Sequence, residues 1–205
     1  MNNVNVINRG IDCAVNIGDK VQALYDNGIR FFCRYYLPGS RWRQPLTRDE
    51  AQKICAAGHD AYIVSVYEGN PTFPQYFTAE KASYDYTIAR HQAVTAGQPF
   101  NTDVYFAVDY DARPEDVRAY FIQLNKMAGA INSLAISAYG SKDVIDFLKS
   151  KGLIQRGWLA QSKGWAGYSS VPGAEEIQQG REVTMLGLDV DLDFSSGNGG
   201  GWRLK

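Results

Sequence analysis

Short apolar segments alternate with amphipathic segments along most of the chain. Eight segments rich in β-branched and aromatic residues are predicted strands, because a strand covered on both faces is apolar along its whole length. The clearest of them runs from Val104 to Val108 and ends in two acidic residues, Asp109 and Asp111. The predicted strands span residues 9–14, 29–36, 61–67, 104–109, 134–139, 157–161, 175–179 and 185–194, of which the seventh has the weakest signal.

Helix signals separate most of these strands. Thr47 followed three residues later by Glu50 forms a capping box, Pro114 stands in a first helical turn, and Gly28 and Gly97 follow the last residues of two helical patterns. The predicted helices span residues 18–27, 47–57, 78–96, 114–130 and 141–151, and a loop is predicted over 162–172.

Strands that alternate with helices favour an α/β fold with parallel strands and right-handed crossovers. About eight such units close into a single (β/α)8 TIM-like barrel, here compact and with short late helices. An open doubly wound sheet is the alternative, but it usually carries a Gly-rich phosphate loop after its first strand, and none follows Ile11 and Asp12. The prediction is one domain over residues 1–205, with a core at about 9–194 and a flexible Gly-rich tail at 195–205.

Composition narrows the function classes. The 205 residues carry a net charge of -1 and no basic stripe, which disfavours nucleic-acid binding. Aromatic residues make up 13%, and sugar-binding clefts and protein cores both use them. No long apolar segment predicts a membrane span. Because Met1 to Asn5 have no basic or apolar signal-peptide character, the chain is expected to be made in the cytoplasm without a signal peptide.

Five acidic residues follow predicted strands: Asp12, Glu68, Asp109, Asp111 and Asp191. In a barrel the carboxyl ends of the strands meet at one mouth, where active sites are found. Several carboxyl groups close together raise at least one pKa, which provides the protonated acid and the ionised partner that glycoside hydrolysis requires. Two alternatives stay open. An Asp after a strand is often the N-cap of the next helix, and an Asp-x-Asp pair can bind a divalent metal.

A set of short motifs in a fixed order resembles one family over nearly the whole chain, from about residue 9 to 194. The set is similar to a glycoside-hydrolase-like barrel domain of bacteria that is itself related to family 25 lysozymes. The motifs are Gly10-Ile11-Asp12, Arg34-Tyr35-Tyr36, Val66-Tyr67-Glu68, Tyr105 through Asp111, Tyr139-Gly140-Ser141, Trp158-Leu159-Ala160-Gln161 and Asp189-Val190-Asp191.

The resemblance implies a muramidase-like hydrolase of bacterial cell-wall peptidoglycan that needs no cofactor or metal. Asp12, Asp109 and Asp191 match acids of family 25 lysozymes, whereas Asp111 stands where that family has Glu. Glu68 is therefore expected to be the general acid and Asp109 the base or electrostatic stabiliser, with Asp12, Asp111 and Asp191 tuning pKa values or holding the sugar. The residues expected to line the cleft are Arg34, Tyr36, Tyr67, Tyr110, Tyr139, Gln161 and Trp165.

Two other functions are consistent with the same residues. One is a catalytically weak barrel that only binds glycan or cell wall, and the other is a metal-dependent hydrolase. A cell-wall enzyme without a signal peptide would be delivered by a phage-lysis system or a contact-dependent secretion system, or would be one domain of a longer chain.

Overall fold

A computed structural model describes residues 8–38, 43–129, 133–168 and 176–204. The N-terminal residues on which the signal-peptide prediction rests lie outside these ranges, as do Glu175 of the predicted seventh strand and part of the loop predicted over 162–172. The strands are β1 Asn8–Asp12, β2 Ile29–Tyr36, β3 Tyr62–Tyr67, β4 Asp103–Ala107, β5 Ala135–Gly140, β6 Gly157–Leu159, β7 Ile177–Met185 and β8 Leu188–Ser195. The α-helices are α1 Val21–Asp26, α2 Arg48–Ala57, α3 Ala79–Ala96, α4 Pro114–Ala128 and α5 Lys142–Ser150.

The eight strands form a closed barrel in chain order, which confirms the predicted TIM-like fold. Strands β1 to β7 pair in parallel with their sequence neighbours. Helix starts follow the sequence signals closely: the side chain of Thr47 accepts a hydrogen bond from the backbone N–H of Glu50 at 3.2 Å. In the described part of the chain no helix is long and apolar enough to cross a membrane.

The last unit departs from the (β/α)8 pattern. Strands β7 and β8 form an antiparallel hairpin, and β8 closes the barrel by pairing antiparallel with β1. The hairpin turns at Leu186 and Gly187, which have φ values of 52° and 73°, the backbone that a two-residue turn of this kind requires. The sequence 185–194 is predicted as one strand because apolar residues on both sides of the turn hide it.

Side chains alternate between the inside of the barrel and the layer beneath the helices. The inner cluster includes Phe31, Cys33, Val64, Tyr105 and Trp158, all buried. The outer faces of the same strands pack against the helices and form the larger part of the core. Because successive residues of a strand point in opposite directions, neighbours such as Phe31 and Phe32 belong to different layers.

The segment at 196–204, here called the strap, crosses the amino end of the barrel. The Trp202 backbone exchanges hydrogen bonds with Ile63 of β3 at 2.8 and 2.9 Å, and its indole N–H donates to Ser65 Oγ at 2.9 Å. The Tyr105 hydroxyl donates to the Gly199 carbonyl at 2.7 Å. The tail predicted to be flexible from its glycines thus makes specific contacts, because positive φ at Gly199 lets its backbone reach the barrel floor.

Replacing Trp202 with Ala is expected to lower the free energy of unfolding by about 3–5 kcal/mol, the usual cost of truncating a large buried aromatic side chain. Trp202 is buried and its indole N–H has a partner in Ser65. Denaturant unfolding of the two proteins measures the loss. Trp165→Ala is the matched control: Trp165 is partly exposed in a loop, so its loss is expected to stay below about 1 kcal/mol. Similar losses for both variants would contradict the structural role of the strap.

Candidate active site

Four acidic side chains from different strands line one cavity at the carboxyl end of the parallel strands. Asp12 ends β1, Glu68 directly follows β3, Asp109 lies two residues after β4, and Asp191 lies on β8. The cavity has a volume of about 200 Å³. Asp191 reaches the mouth near the beginning of its strand, because β8 runs antiparallel and pairs Asp191 with Asp12. The other residues lining the cavity are Tyr35, Arg43, Val66, Ala107, Tyr139, Trp158 and Gln179.

Asp12 lies deepest among these acids and is almost fully buried. The Tyr35 hydroxyl donates a hydrogen bond to Asp12 Oδ1 at 2.8 Å, which favours the ionised form. Burial opposes ionisation more strongly, and the charges of Asp191 and Glu68 act in the same direction. Together they raise the pKa of Asp12 to about 7. Near neutral pH this carboxyl can therefore be either protonated or ionised.

Glu68 forms an ion pair with Arg43, through Arg43 Nη1 and Glu68 Oε1. Burial raises the pKa of Glu68 most, the Arg43 guanidinium lowers it, and the charge of Asp109 raises it further, with a raised pKa as the result. The raised pKa and the burial behind it are those expected from the sequence. The ion pair with Arg43 is not expected from the sequence, because Arg43 lies in a loop that gives no periodic signal.

Asp109 and Asp191 complete the acidic cavity. Burial raises the pKa of Asp109, and Arg43 opposes this. The Asp109 backbone N–H donates to the Pro71 carbonyl at 3.1 Å, which ties the loop after Glu68 to the end of β4. Asp191 Oδ2 accepts a hydrogen bond from Gln179 Nε2 at 3.0 Å, while burial raises its pKa. Tyr139, predicted to line the cleft, does so and donates to Gln179 Oε1 at 3.0 Å.

Arg34, Tyr36 and Tyr67 do not line the cavity, because they lie on the outward faces of β2 and β3. Arg34 is fully buried against Glu50 of α2 at 2.7 Å. The hydroxyls of Tyr36 and Tyr67 donate to Gln98 and Asp85, each within 2.8 Å. The alternation of side chains along a strand directs their sequence neighbours, including Tyr35, into the barrel instead. Both faces of β2 carry aromatic residues, and the two arginines on one face, Arg30 and Arg34, do not by themselves show which face points inward.

Four further predicted residues lie outside the cavity. Asp111 is exposed and accepts a hydrogen bond from the Ala166 backbone N–H at 2.8 Å. Tyr110 packs against Phe77, and Gln161 donates to the Tyr168 hydroxyl at 2.6 Å. The partly exposed Trp165 neighbours Ala166 in the loop that Asp111 holds. None of these four residues lines the cavity, which corrects their expected positions; Tyr110 packs instead against the core beneath the helices.

The described residues contain no group of three or more His, Cys, Asp or Glu side chains arranged to hold a metal ion. The sequence analysis missed Asp193, which lies inside the barrel and is fully buried. Its position two residues after Asp191 on one strand gives both side chains the same inward direction. That spacing is the signal that could have identified it.

Comparisons with known proteins agree with this geometry. A family described as the Rv2525c-like, glycoside hydrolase-like domain matches residues 22–193. An uncharacterized protein of Bacillus subtilis named FadG is 28% identical over an alignment of 198 residues, and the match covers 88% of this chain. The chain spans only 34% of that relative's length.

Solved structures share the fold at low sequence identity. The Mycobacterium tuberculosis Tat-secreted protein Rv2525c, solved in complex with L-tartrate, is similar with a TM-score of 0.75 at 19% identity, over 91% of this chain and 94% of that one. A family GH25 lysozyme from Aspergillus fumigatus has a TM-score of 0.53 at 12% identity, over 94% and 95%. These likenesses show that the chain shares its barrel fold with both proteins.

Proposed function

Because the chain belongs to the Rv2525c-like, glycoside hydrolase-like domain family, we propose that it hydrolyses glycosidic bonds of bacterial cell-wall peptidoglycan, as a muramidase does. The observation that carries this proposal is the cavity lined by Asp12, Glu68, Asp109 and Asp191, all four with raised pKa values. Glycoside hydrolysis needs one protonated and one ionised carboxyl on either side of the scissile bond. A cavity in which burial raises the pKa of several carboxyl groups favours such a combination.

In the proposed reaction Glu68 gives its proton to the leaving-group oxygen as the bond from that oxygen to the sugar carbon breaks. Asp109 acts as base or as electrostatic stabiliser of the positive charge that develops on the sugar. Water adds to the sugar carbon, and its proton returns to a carboxylate of the site. Asp12 and Asp191 then hold the sugar deeper in the cavity, beside Tyr139.

Asp111 receives no reacting role in this proposal. Its side chain lies outside the cavity and bonds to the loop that carries Trp165. We propose instead that Asp111 places this loop at the rim, where Trp165 can stack on a sugar face of a longer glycan. Aromatic rings are suited to that contact because they are rigid and largely apolar.

A glycan-binding barrel without strong hydrolytic activity is the second candidate, and the Arg43–Glu68 ion pair favours it. An arginine against a carboxylate stabilises the ionised form, which cannot donate a proton. In that case the same cavity would recognise sugar through its carboxyl and tyrosine groups without cleaving it.

The protein Rv2525c is described as Tat-secreted, and by analogy we propose that this domain also acts outside the cytoplasm. Because the peptidoglycan substrate lies in the cell wall, the protein must be delivered there. A secretion system or a phage-lysis system would provide that route.

Purified peptidoglycan sacculi incubated with the protein test the proposal. Release of reducing ends, with soluble fragments of the matching mass, is expected from the wild type. Sedimentation of the protein with sacculi without release of reducing ends would favour the binding candidate. Loss of activity in chelator, restored by a divalent cation, would instead favour a metal-dependent hydrolase.

A further inference from the structure

Gln179 lines the cavity, and no step of the proposed reaction uses it. Its Oε1 atom accepts hydrogen bonds from the Tyr139 hydroxyl at 3.0 Å and from the Gln161 backbone N–H at 3.2 Å. Its Nε2 atom donates to Asp191 Oδ2 at 3.0 Å. This one side chain of β7 therefore connects β5, the segment after β6, and β8 beside the cavity.

The direction of the Gln179 amide is fixed by its partners. A backbone N–H can only donate a hydrogen bond, so the group that faces Gln161 must be the amide oxygen. The amide nitrogen therefore faces Asp191, and Asp191 Oδ2 must be the acceptor. Burial raises the pKa of Asp191, the hydrogen bond from Gln179 lowers it, and the charge of Glu182 raises it. Gln179 thus opposes the effect of burial and favours the ionised carboxylate.

The backbone beside Gln179 is shaped for this contact. The pairing of β7 with β8 shifts register between Gln179 and Glu182, which makes a β-bulge. Bulges occur beside active sites, where they change the direction of a side chain. A residue with a Cβ does not fit at Gly180 within the bulge, because that atom would lie 2.8 Å from the Leu192 carbonyl oxygen. The position of Gln179 is therefore set by the backbone as well as by its three hydrogen bonds.

Gln179 and Asp191 can each make one more hydrogen bond. Within the described residues, neither the second N–H of Gln179 Nε2 nor Asp191 Oδ1 has a partner, and both side chains line the cavity. A hydroxyl group suits this pair, because it accepts from the amide and donates to the carboxylate at the same time. An ammonium group can only donate, and a carboxylate can only accept.

We propose that Gln179 is a positioning residue that fixes the orientation of Asp191, so that the two side chains together bind one hydroxyl group of the sugar. The amide of Gln179 donates to this hydroxyl oxygen, and Asp191 Oδ1 accepts its hydrogen. This inference rests on the proposed function, because it assigns one subsite of the same cavity. The group recognised there is uncharged.

Gln179→Glu tests this role. The new carboxyl group keeps the size of the side chain and the oxygen that accepts from Tyr139 and Gln161, but it places a second oxygen, instead of an N–H, against Asp191. Two carboxyl groups stay in contact only while they share a proton, and that proton is lost as the pH rises. Above that pH the two negative charges repel, and Asp191 loses its orientation.

Calorimetry with a sulfur-linked dimer of N-acetylglucosamine measures the effect, because this probe resists hydrolysis and has no titratable group. The ratio of the variant Kd to the wild-type Kd should rise about tenfold between about pH 5 and about pH 8. The ratio removes the pH dependence that both proteins share. That shared part comes from the groups around Asp191, which are Asp12 of β1, Arg43, Tyr139 of β5, Glu182 of β7, and Asp189 and Asp193 of β8.

Two further variants make the measurement specific. Gln161→Glu is the matched control: it makes the same chemical change outside the cavity, where the side chain contacts the Tyr168 hydroxyl, and it keeps the backbone N–H that Gln179 accepts. Its Kd ratio should be independent of pH. Gln179→Glu combined with Asp191→Asn again places an amide against a carboxylate, so its Kd ratio should also be independent of pH. A role of Gln179 in packing alone would not produce this rescue.

A Kd ratio for Gln179→Glu that is independent of pH would overturn the proposal. The same pH dependence in the double variant, or a probe that does not bind the wild type, would also overturn it. If Gln179→Glu does not fold, the double variant decides by the same measurement. Failure of both variants to fold would assign Gln179 to the stability of the barrel and overturn the positioning role.

Failure of the proposed function is distinguishable from failure of this inference. If only the proposed function fails, the protein releases no reducing ends from sacculi, while the pH-dependent Kd ratio of Gln179→Glu holds for a glycan-binding barrel. If only this inference fails, reducing ends are released and the Kd ratio does not change with pH.

Discussion

Glu68→Gln is expected to lower the rate of peptidoglycan hydrolysis by about 10²- to 10⁴-fold, the contribution that general acid catalysis usually makes. The amide keeps the shape of the side chain but has no acidic proton for the leaving-group oxygen. The free energy of unfolding at neutral pH should be equal or higher, since the folded-state pKa of Glu68 is raised and its ionised form therefore costs stability above its unfolded-state pKa. Arg43 loses its ion pair with Glu68, but its side chain is about 42% exposed, so water can solvate it.

Asp111→Asn is the matched control for this experiment. It removes a carboxylate that lies outside the cavity. The amide oxygen that replaces it can still accept the hydrogen bond from the Ala166 backbone N–H. Its rate should stay within about threefold of the wild type, because it removes no reacting group. Reducing-end release under saturating substrate, with circular dichroism to confirm folding, measures both variants.

The results also decide between possible proton donors. A Glu68→Gln variant that hydrolyses at the wild-type rate would show that Glu68 is not the acid. Asp12, with a pKa of about 7 and a place in the cavity, would then take that role, and Asp12→Asn should be inactive. A Glu68→Gln variant that is inactive and clearly destabilised would instead indicate a structural anchor held by Arg43.

Arg34→Met is expected to lower the free energy of unfolding by about 3–5 kcal/mol, the usual cost of removing one partner of a buried ion pair. Arg34 donates to Glu50 at 2.7 Å and to the carbonyls of Cys13 and Gln44. Glu50 also accepts the Ile17 backbone N–H at 3.0 Å. Without Arg34, Glu50 would remain as a buried charge, and the loops beside Asp12 and Arg43 would lose their shared anchor.

Two further variants make this measurement specific. Arg34→Met with Glu50→Gln removes both charges and should recover part of the lost stability, because no buried charge is left unpaired. Arg113→Ala breaks the ion pair with Asp116, in which the Arg113 side chain is about 84% exposed, and should cost far less stability than Arg34→Met because water screens an exposed pair. Thermal or denaturant unfolding of all three variants provides the comparison. A loss below 1 kcal/mol for Arg34→Met would show that the buried pair contributes little.

Much of the barrel could be predicted from the sequence because buried parallel strands are apolar along their length and acidic at their ends. The same property limits the prediction of the site. In β2 both faces are largely buried and each carries aromatic residues, so the pattern cannot show that Tyr35 points inward and Arg34 and Tyr36 outward. Side chains alternate along a strand, so one residue of known direction would fix the directions of all the others. The sequence contains no such residue.

The parts that were missed depend on contacts between residues far apart in the chain. Arg43 reaches Glu68 from a loop without periodicity. Gln179 reaches Asp191 only because β7 and β8 form a hairpin, and the apolar residues Met185 and Leu188 on either side hide the turn between them. The tail rich in glycine was predicted to be flexible from composition, whereas Trp202, a large buried residue within it, fixes its position.

The closure of the barrel by its last strand has a consequence for how the chain acquires its structure. Strand β1 pairs on one side with β8, more than 170 residues later in the chain, and Trp202 of the strap completes the edge of β3 beside Ile63. Contacts between such distant segments form slowly, because a long loop must close first. Until then the outer edge of β1 carries unpaired backbone groups that can join other strands. Chains interrupted before β8 should therefore associate with one another. In the intact chain β8 pairs with β1 and prevents this association.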